Sequence, residues 1–294
     1  MNDILSLIDE KKEMLKYRDS GANKGTYRKL LVIAGSSGMA GAAYLCSLAA
    51  FRTGIGMVKI LGPECNRSIL QTKLPEAMYS VCENVNGMPD KDVLTESIDW
   101  ADYILIGPGL SKNNYAKGLI RHMYSASVKE LLSKKELIII DADALNIIAE
   151  EERDPGALSR YTVITPHVGE MSRLTGLSIS EIKKNVEATA AEYSKKHGIT
   201  VVLKDAVSIV AESSGDIYGI TSGCSAMAKA GSGDVLCGFI AGTSAVLKGD
   251  LSASIPIAVF LHGKAGSIAA EENGCHSILA SDIADAAGEA INSI

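Results

Sequence analysis

The stretch AKAGSGDVLCGFIAG, residues 228–242, carries the sharpest chemical signal in the chain. Gly231 and Gly233 free successive backbone amides of side chains just ahead of a long apolar run that reads as a helix. Such amides form an anion-binding nest at the positive end of a helix dipole. Gly231, Ser232 and Gly233 are therefore the expected anion hole. Asp234 beside them has two readings. It caps the helix, which Asp does well, or it stands next to a bound phosphate and takes a proton from an attacking hydroxyl. A cap alone needs neither the two glycines nor the serine, and this favours the base. Lys204 closes the apolar run VVLK. It either neutralises nucleotide phosphates at the edge of a sheet or snorkels from the surface.

Weaker signals lie elsewhere. His167 and Glu170 in TPHVGE follow Pro166 and open a helix, so His167 can bond a substrate while Glu170 complements the helix N-terminus. Asp141 and Asp143 flank a strand end in DADALN, where they reach a metal through water or cap the next helix. His262, among Phe260, Leu261 and Gly263, reads as a core histidine, and His122, His197 and His276 form no cluster; no transition-metal site is indicated. AGSSGMAGAA (34–43) spaces its glycines as G-x-x-G-x-x-G. That is neither the dinucleotide fingerprint nor a P-loop, but amides at a helix start still suit a phosphate or ribose.

These residues need elements to hold them. LLVIA (30–34), GMVKIL (56–61), DYILIG (102–107), ELIIID (136–141), YTVITP (161–166) and TVVLK (200–204) are nearly continuous apolar runs, as parallel strands buried on both faces require. Helical stretches are expected at 3–17, 41–53, 114–133, 180–197, 233–248, 255–272 and 280–293, and a hairpin over 205–220 around Ser213–Gly215. Alternating strands and helices predict an α/β fold, a mostly parallel sheet with helices on both faces, in one domain over 1–294. Five loops, 34–43, 107–110, 141–146, 165–170 and 228–234, would then converge beyond the carboxyl ends of the strands, where open α/β sheets bind ligands.

Composition narrows the classes. The 294 residues are 47% hydrophobic, 22% charged and 5% aromatic, with a net charge of −6. This is a globular balance with no basic stripe for nucleic acid and few rings for base stacking. No apolar run is expected to reach the roughly 18 residues of a membrane helix, and the charged N-terminus has no signal-peptide core. Six scattered cysteines form no CxxC pair, as expected for reduced thiols in the cytoplasm.

The ordered set NKGTY (23–27), GSSGMAGAA (35–43), LPEAM (74–78), IGPGL (106–110), DADALN (141–146), TPHVGE (165–170), LKDAVSI (203–209), MAKAGSGDVLCG (227–238) and LHGKAG (261–266) resembles the ADP/ATP-dependent NAD(P)H-hydrate dehydratases of the ribokinase-like superfamily. The resemblance runs from about Asn23 to the C-terminus. It implies dehydration of the S-epimer of hydrated NADH or NADPH (NADHX, NADPHX), with ADP, or less often ATP, consumed to AMP, or ADP, and phosphate. It further implies Asp234 as the base, and Ala42, Gly109, His167 and Asp234 on the hydrated dinucleotide. Lys204, Asp205, Ala206, Val207, Ser208 and Gly233 would contact the adenine nucleotide, with Mg²⁺ bridging phosphates, in a homotetramer. Three positions depart from the commonest family pattern: Asn23 replaces His, Asp205 replaces Gly after the lysine, and SGCSAM (222–227) replaces an Asn-Gly element. The 22 residues before the resemblance read as a helical extension, too short for the epimerase domain many members carry. The alternative is a ribokinase-like kinase of vitamin precursors, which would share the GSGD element and release a stable phosphoester.

Overall fold

The chain forms strands β1 (Lys29–Ile33), β2 (Met57–Gly62), β3 (Met78–Val81), β4 (Tyr103–Ile106), β5 (Leu137–Ile140), β6 (Thr162–Ile164), β7 (Thr200–Leu203), β8 (Ser208–Ala211) and β9 (Ile217–Ile220), the six apolar runs being β1, β2 and β4 to β7. They are seen in a computed structural model that describes residues 2–294. One nine-stranded sheet results, ordered β3-β2-β1-β4-β5-β6-β7-β8-β9. The pairings from β3 across to β7 are all parallel, and β8 runs antiparallel to both β7 and β9. The expected hairpin is therefore β8–β9, and β9 again points the same way as β7. Strand β3 escaped the sequence reading because it is a short edge strand, with Met78 exposed and its companions only half-buried.

Helices α1 (Ile4–Lys16), α2 (Ala40–Arg52), α3 (Arg67–Lys73), α4 (Lys91–Trp100), α5 (Asn114–Met123), α6 (Ala126–Ser133) and α7 (Ala142–Glu150) accompany the first half of the sheet. The second half carries α8 (Val168–Thr175), α9 (Ile179–Lys184), α10 (Val186–His197), α11 (Ser232–Val246), α12 (Leu251–Asn273), α13 (Ala280–Asp285) and α14 (Ala287–Asn292). Three expected helices are each broken in two. Asn185, at φ −140°, ends α9 and opens α10, its carbonyl accepting from both the amide and the hydroxyl of Thr189. Ser125 separates α5 from α6 by bonding its hydroxyl back to the His122 carbonyl, and Ala286 divides α13 from α14.

Side chains alternate across the strands, so each buried strand feeds two cores. Leu30 and Val32 face the core made with α2, α11 and α12, whereas Leu31 and Ile33 face the core made with α4, α5 and α7. The expectation about apolar length needs correction. α12 spans 23 residues and is apolar enough to cross a membrane, but 78% of its apolar window is buried inside the fold. It is a core helix whose flanks are all protein, so it lacks the polar face that would have broken the pattern. α1 packs on α12, with Ile8 buried and Lys11 paired to Asp250 at 3.0 Å.

α2 and α11 pack closely enough that a Cβ at Gly238 would lie 2.5 Å from both the Ala49 Cβ and the Cys46 carbonyl. The helix that opens from the first glycine loop thus carries the helix that opens with GSGD.

Candidate active site

Strand order brings the loops together. β1, β4, β5, β6 and β7 are consecutive neighbours in one direction, so segments 34–39, 107–110, 141–143, 165–167 and 204 leave the same edge. Between β1 and β4 the order of succession reverses, which places the first two loops at a topological switch point. The two are locked there: the Gly35 amide donates to the Pro108 carbonyl at 2.8 Å. A Cβ at Gly109 would stand 2.8 Å from that of Ala42. Gly109 takes φ +62°, so the tight approach and the backbone both call for glycine.

Two strands further on, Lys204 extends the β6–β7 pairing through a parallel bridge to His167, its amide donating to the Pro166 carbonyl at 2.8 Å. Its ammonium donates to Asp141 Oδ1 at 2.8 Å, and the Asp141 side chain is only 2% exposed. Burial works against the Lys204 charge, but Asp141 and, behind it, Glu170 outweigh burial and raise its pKa. Asp141, expected as a cap or a water-mediated metal ligand, makes no capping bond in α7. Its role as the lysine's partner was not visible in sequence, because nothing local links strand ends on β5 and β7. Asp143 accepts the Ser111 amide at 2.7 Å and so ties DADALN to the GPGL loop.

His167 is the N-cap of α8. Its Nδ1 accepts from the amides of Gly169 and Glu170 at 2.9 and 3.3 Å, while Glu170 Oε2 accepts the His167 amide at 2.9 Å. Occupying Nδ1 as an acceptor leaves the ring proton on Nε2, a donor on a half-exposed side chain. Glu170 does what its position suggested and more, since its buried carboxyl, its pKa raised by burial, also faces Lys204.

The GSGD segment removes the capping reading of Asp234. The N-cap of α11 is Gly231, at φ +95°, and no side chain caps the helix. Asp234 is instead the third residue of α11 and is free to act elsewhere. Burial first, then the Asp141 charge, lift its pKa from 3.8 to about 7, against the pull of Lys204. The anion hole differs from expectation at one amide. Ser232 N–H already donates to the Lys229 carbonyl at 3.3 Å, and its hydroxyl to the Met227 carbonyl at 2.7 Å. Gly233 and Asp234, in the first turn of α11, keep amides with no helical acceptor. A Cβ at Gly233 would be 3.3 Å from Lys204 Nζ and 3.8 Å from Asp141 Oδ2, so the start of α11 adjoins the Lys204–Asp141 pair, whose charges Asp234 also feels.

Beside that pair opens a cavity of about 510 Å³, its walls including Lys204, Asp205, Ala206, Ser208, Gly233, Met227 and Leu236. Val207 is not in its wall and is 42% exposed, while Ala42, Gly109, His167 and Asp234 stand outside it. All the residues expected on the nucleotide except Val207 thus line the cavity, and none of those expected on the dinucleotide does. His262 packs edge-on against Phe239 at 5.5 Å, as a core histidine would, but it also lines the cavity; burial pulls its pKa to about 4. Cys224 lines the cavity too, its thiol directed at the Gly266 carbonyl at 3.7 Å.

A family profile described as NAD(P)H-hydrate dehydratase matches residues 30–288. The chain belongs to that family. It is 32% identical over 270 residues to the ADP-dependent (S)-NAD(P)H-hydrate dehydratase of Lactococcus lactis, covering 92% of each chain. The ADP/ATP-dependent NAD(P)H-hydrate dehydratase of Bacillus subtilis, co-crystallised with ATP and Mg²⁺, superposes with a TM-score of 0.80 at 29% identity over 97% of this chain and 96% of that one. A ribokinase-like superfamily protein from Enterococcus faecalis superposes at 0.83 with 27% identity, covering 96% and 94%. The fold is accordingly ribokinase-like. The chain spans about half the length of the bifunctional NAD(P)H-hydrate repair enzymes it also matches, such as that of Moorella thermoacetica at 36% identity, of which it covers 51%.

Proposed function

We propose that this chain of the NAD(P)H-hydrate dehydratase family removes water from the S-epimer of hydrated NADH or NADPH at the expense of an adenine nucleotide. The observation that carries the reading is the Asp234 carboxyl, held near pH 7 in its titration, beside free helix amides and the Lys204 ammonium. A base titrating near working pH is efficient at accepting a hydroxyl proton. In the scheme, Asp234 takes the proton of the substrate hydroxyl, and that oxygen attacks the terminal phosphoryl of ADP. The bond to the bridging oxygen breaks and AMP leaves. The Gly233 and Asp234 amides hold the charge that develops on the transferring oxygens. The ring nitrogen's lone pair then expels phosphate, a far better leaving group than hydroxide. Loss of a proton from the adjacent ring carbon restores the nicotinamide double bond.

The cavity suits the nucleotide, with Lys204, Asp205, Ala206, Ser208 and Gly233 in its wall. Ala42, Gly109 and the Nε2 donor of His167 suit the dinucleotide on the open side. Asp141, Asp143, Glu170 and Asp234 gather about the single ammonium of Lys204. Among the described residues no three metal-ligating side chains converge, so Mg²⁺ would come with the nucleotide and supply positive charge to its phosphates, with Asp141 and Asp143 meeting it only through its waters. The homotetramer rests on the family resemblance alone, and light scattering on the purified protein measures it.

Absorbance at 340 nm tests the activity directly. Purified protein with hydrated NADH, Mg²⁺ and ADP gives a nucleotide-dependent rise, and exchanging ADP for ATP ranks the donors. No rise with either nucleotide, with intact substrate, turns the reading to a kinase that releases a stable phosphoester of another small alcohol.

A further inference from the structure

Asn66 stands at the N-cap of α3, where asparagine ordinarily bonds the first helical amides, yet its side chain makes no capping bond. The carboxamide is turned the other way. Its Nδ2 donates to the Ser36 carbonyl at 3.2 Å, and both residues are buried, at 2% and 6% exposure. Among the described residues it is the one side chain that hydrogen-bonds the 34–42 loop. The same Ser36 carbonyl accepts the Met39 amide at 2.9 Å. Met39 in turn borders Gly109, its carbonyl oxygen and Cβ lying 3.2 and 3.3 Å from where a Gly109 Cβ would be. One side chain from the β2–α3 connection therefore fixes the turn that presents Met39 and Ala42 to Gly109.

We propose that Asn66 is a positioning residue for the dinucleotide half of the site, acting through the Ser36 carbonyl on the Met39–Ala42–Gly109 wall and leaving the adenine nucleotide cavity untouched. The proposal rests on the function proposed above. Nothing of Asn66 enters the cavity wall, and neither does any residue of the loop it holds. A split between the two ligands follows. Loss of one buried hydrogen bond that orders a binding loop weakens the ligand on that loop about fivefold to tenfold.

Asn66→Leu, similar in volume but without a donor, and Asn66→Ser, smaller and polar, test this against wild type. NADH, the expected product, is titrated by its fluorescence, ADP by calorimetry, and KM for hydrated NADH is read at 340 nm with saturating ADP. Both variants should weaken NADH and raise KM for hydrated NADH by about tenfold, with the ADP dissociation constant within about twofold of wild type. Equal weakening of both ligands, or of neither, overturns the assignment. Failure of both variants to fold overturns it as well, because Asn66 would then be a stability residue. A wild type that binds ADP but neither NADH nor its hydrate instead overturns the functional reading on which the assignment rests.

Discussion

Asp234, the base in the proposed scheme, carries a cost in stability. Its pKa is raised to about 7 from an ordinary 3.8, so the folded state disfavours the carboxylate. Its contribution to stability is complete below about pH 4 and is lost as pH rises through 7. Asp234→Asn removes that penalty. The variant should be more stable than wild type at pH 8, by up to about 4 kcal/mol by thermal melting, and indistinguishable at pH 4. Its turnover should fall by roughly 10²–10⁴ while ADP binding stays within a few-fold. In wild type, kcat/KM should lose activity towards acid with a midpoint near 7, and full activity in Asp234→Asn would mean the base lies elsewhere. Asp205 is exposed in the cavity rim, its Oδ1 accepting only the neighbouring Ala206 amide at 2.9 Å. An exposed like charge near phosphates costs at most about 1 kcal/mol. Asp205→Asn should therefore tighten ATP by about threefold and ADP by less, measured by calorimetry at low and high salt, with the difference shrinking in salt.

At the scale of elements, the pair α2 and α11 holds the two halves of the site against each other. Gly238 leaves no room between them, since an added Cβ meets the Ala49 Cβ and the Cys46 carbonyl at 2.5 Å. Gly238→Ala should destabilise by about 1–3 kcal/mol in urea unfolding. It should also lower kcat, because parting the helices moves Asp234 from the first glycine loop. The same pair shows where sequence reading stops. Apolar runs such as LIII and TVVL disclosed every central strand, because burial on both faces leaves no polar interruptions. The places of Asp234 at a helix start and Lys204 at a strand end were legible because glycines and strand ends constrain them locally. The Asp141–Lys204 pair and the Asn66–Ser36 bond were not: each joins residues 63 and 30 positions apart, and only sheet order or a turn of the chain supplies their proximity. Edge strand β3 was missed for the opposite reason, its half-exposed residues giving no period to follow.

For the whole molecule, ligand binding should register as global stability. ADP at a hundred times its dissociation constant should add about 2.7 kcal/mol, seen as a raised melting temperature that saturates with Mg²⁺ present. Absence of any shift would mean the cavity does not take the nucleotide. The parallel sheet has a further consequence for how the chain reaches its working form. α11 must settle on α2 across the 179 residues of intervening chain between Arg52 and Ser232, and β1 cannot complete its pairing until both β2 and β4 exist. During synthesis α2 leaves the ribosome long before its partner helix does, and the side it turns to α11 stays uncovered by that helix until the last quarter of the chain emerges. Recovery of activity in a refolding experiment should therefore lag behind recovery of helical circular dichroism, with enzymatic competence as the clock of the final docking step.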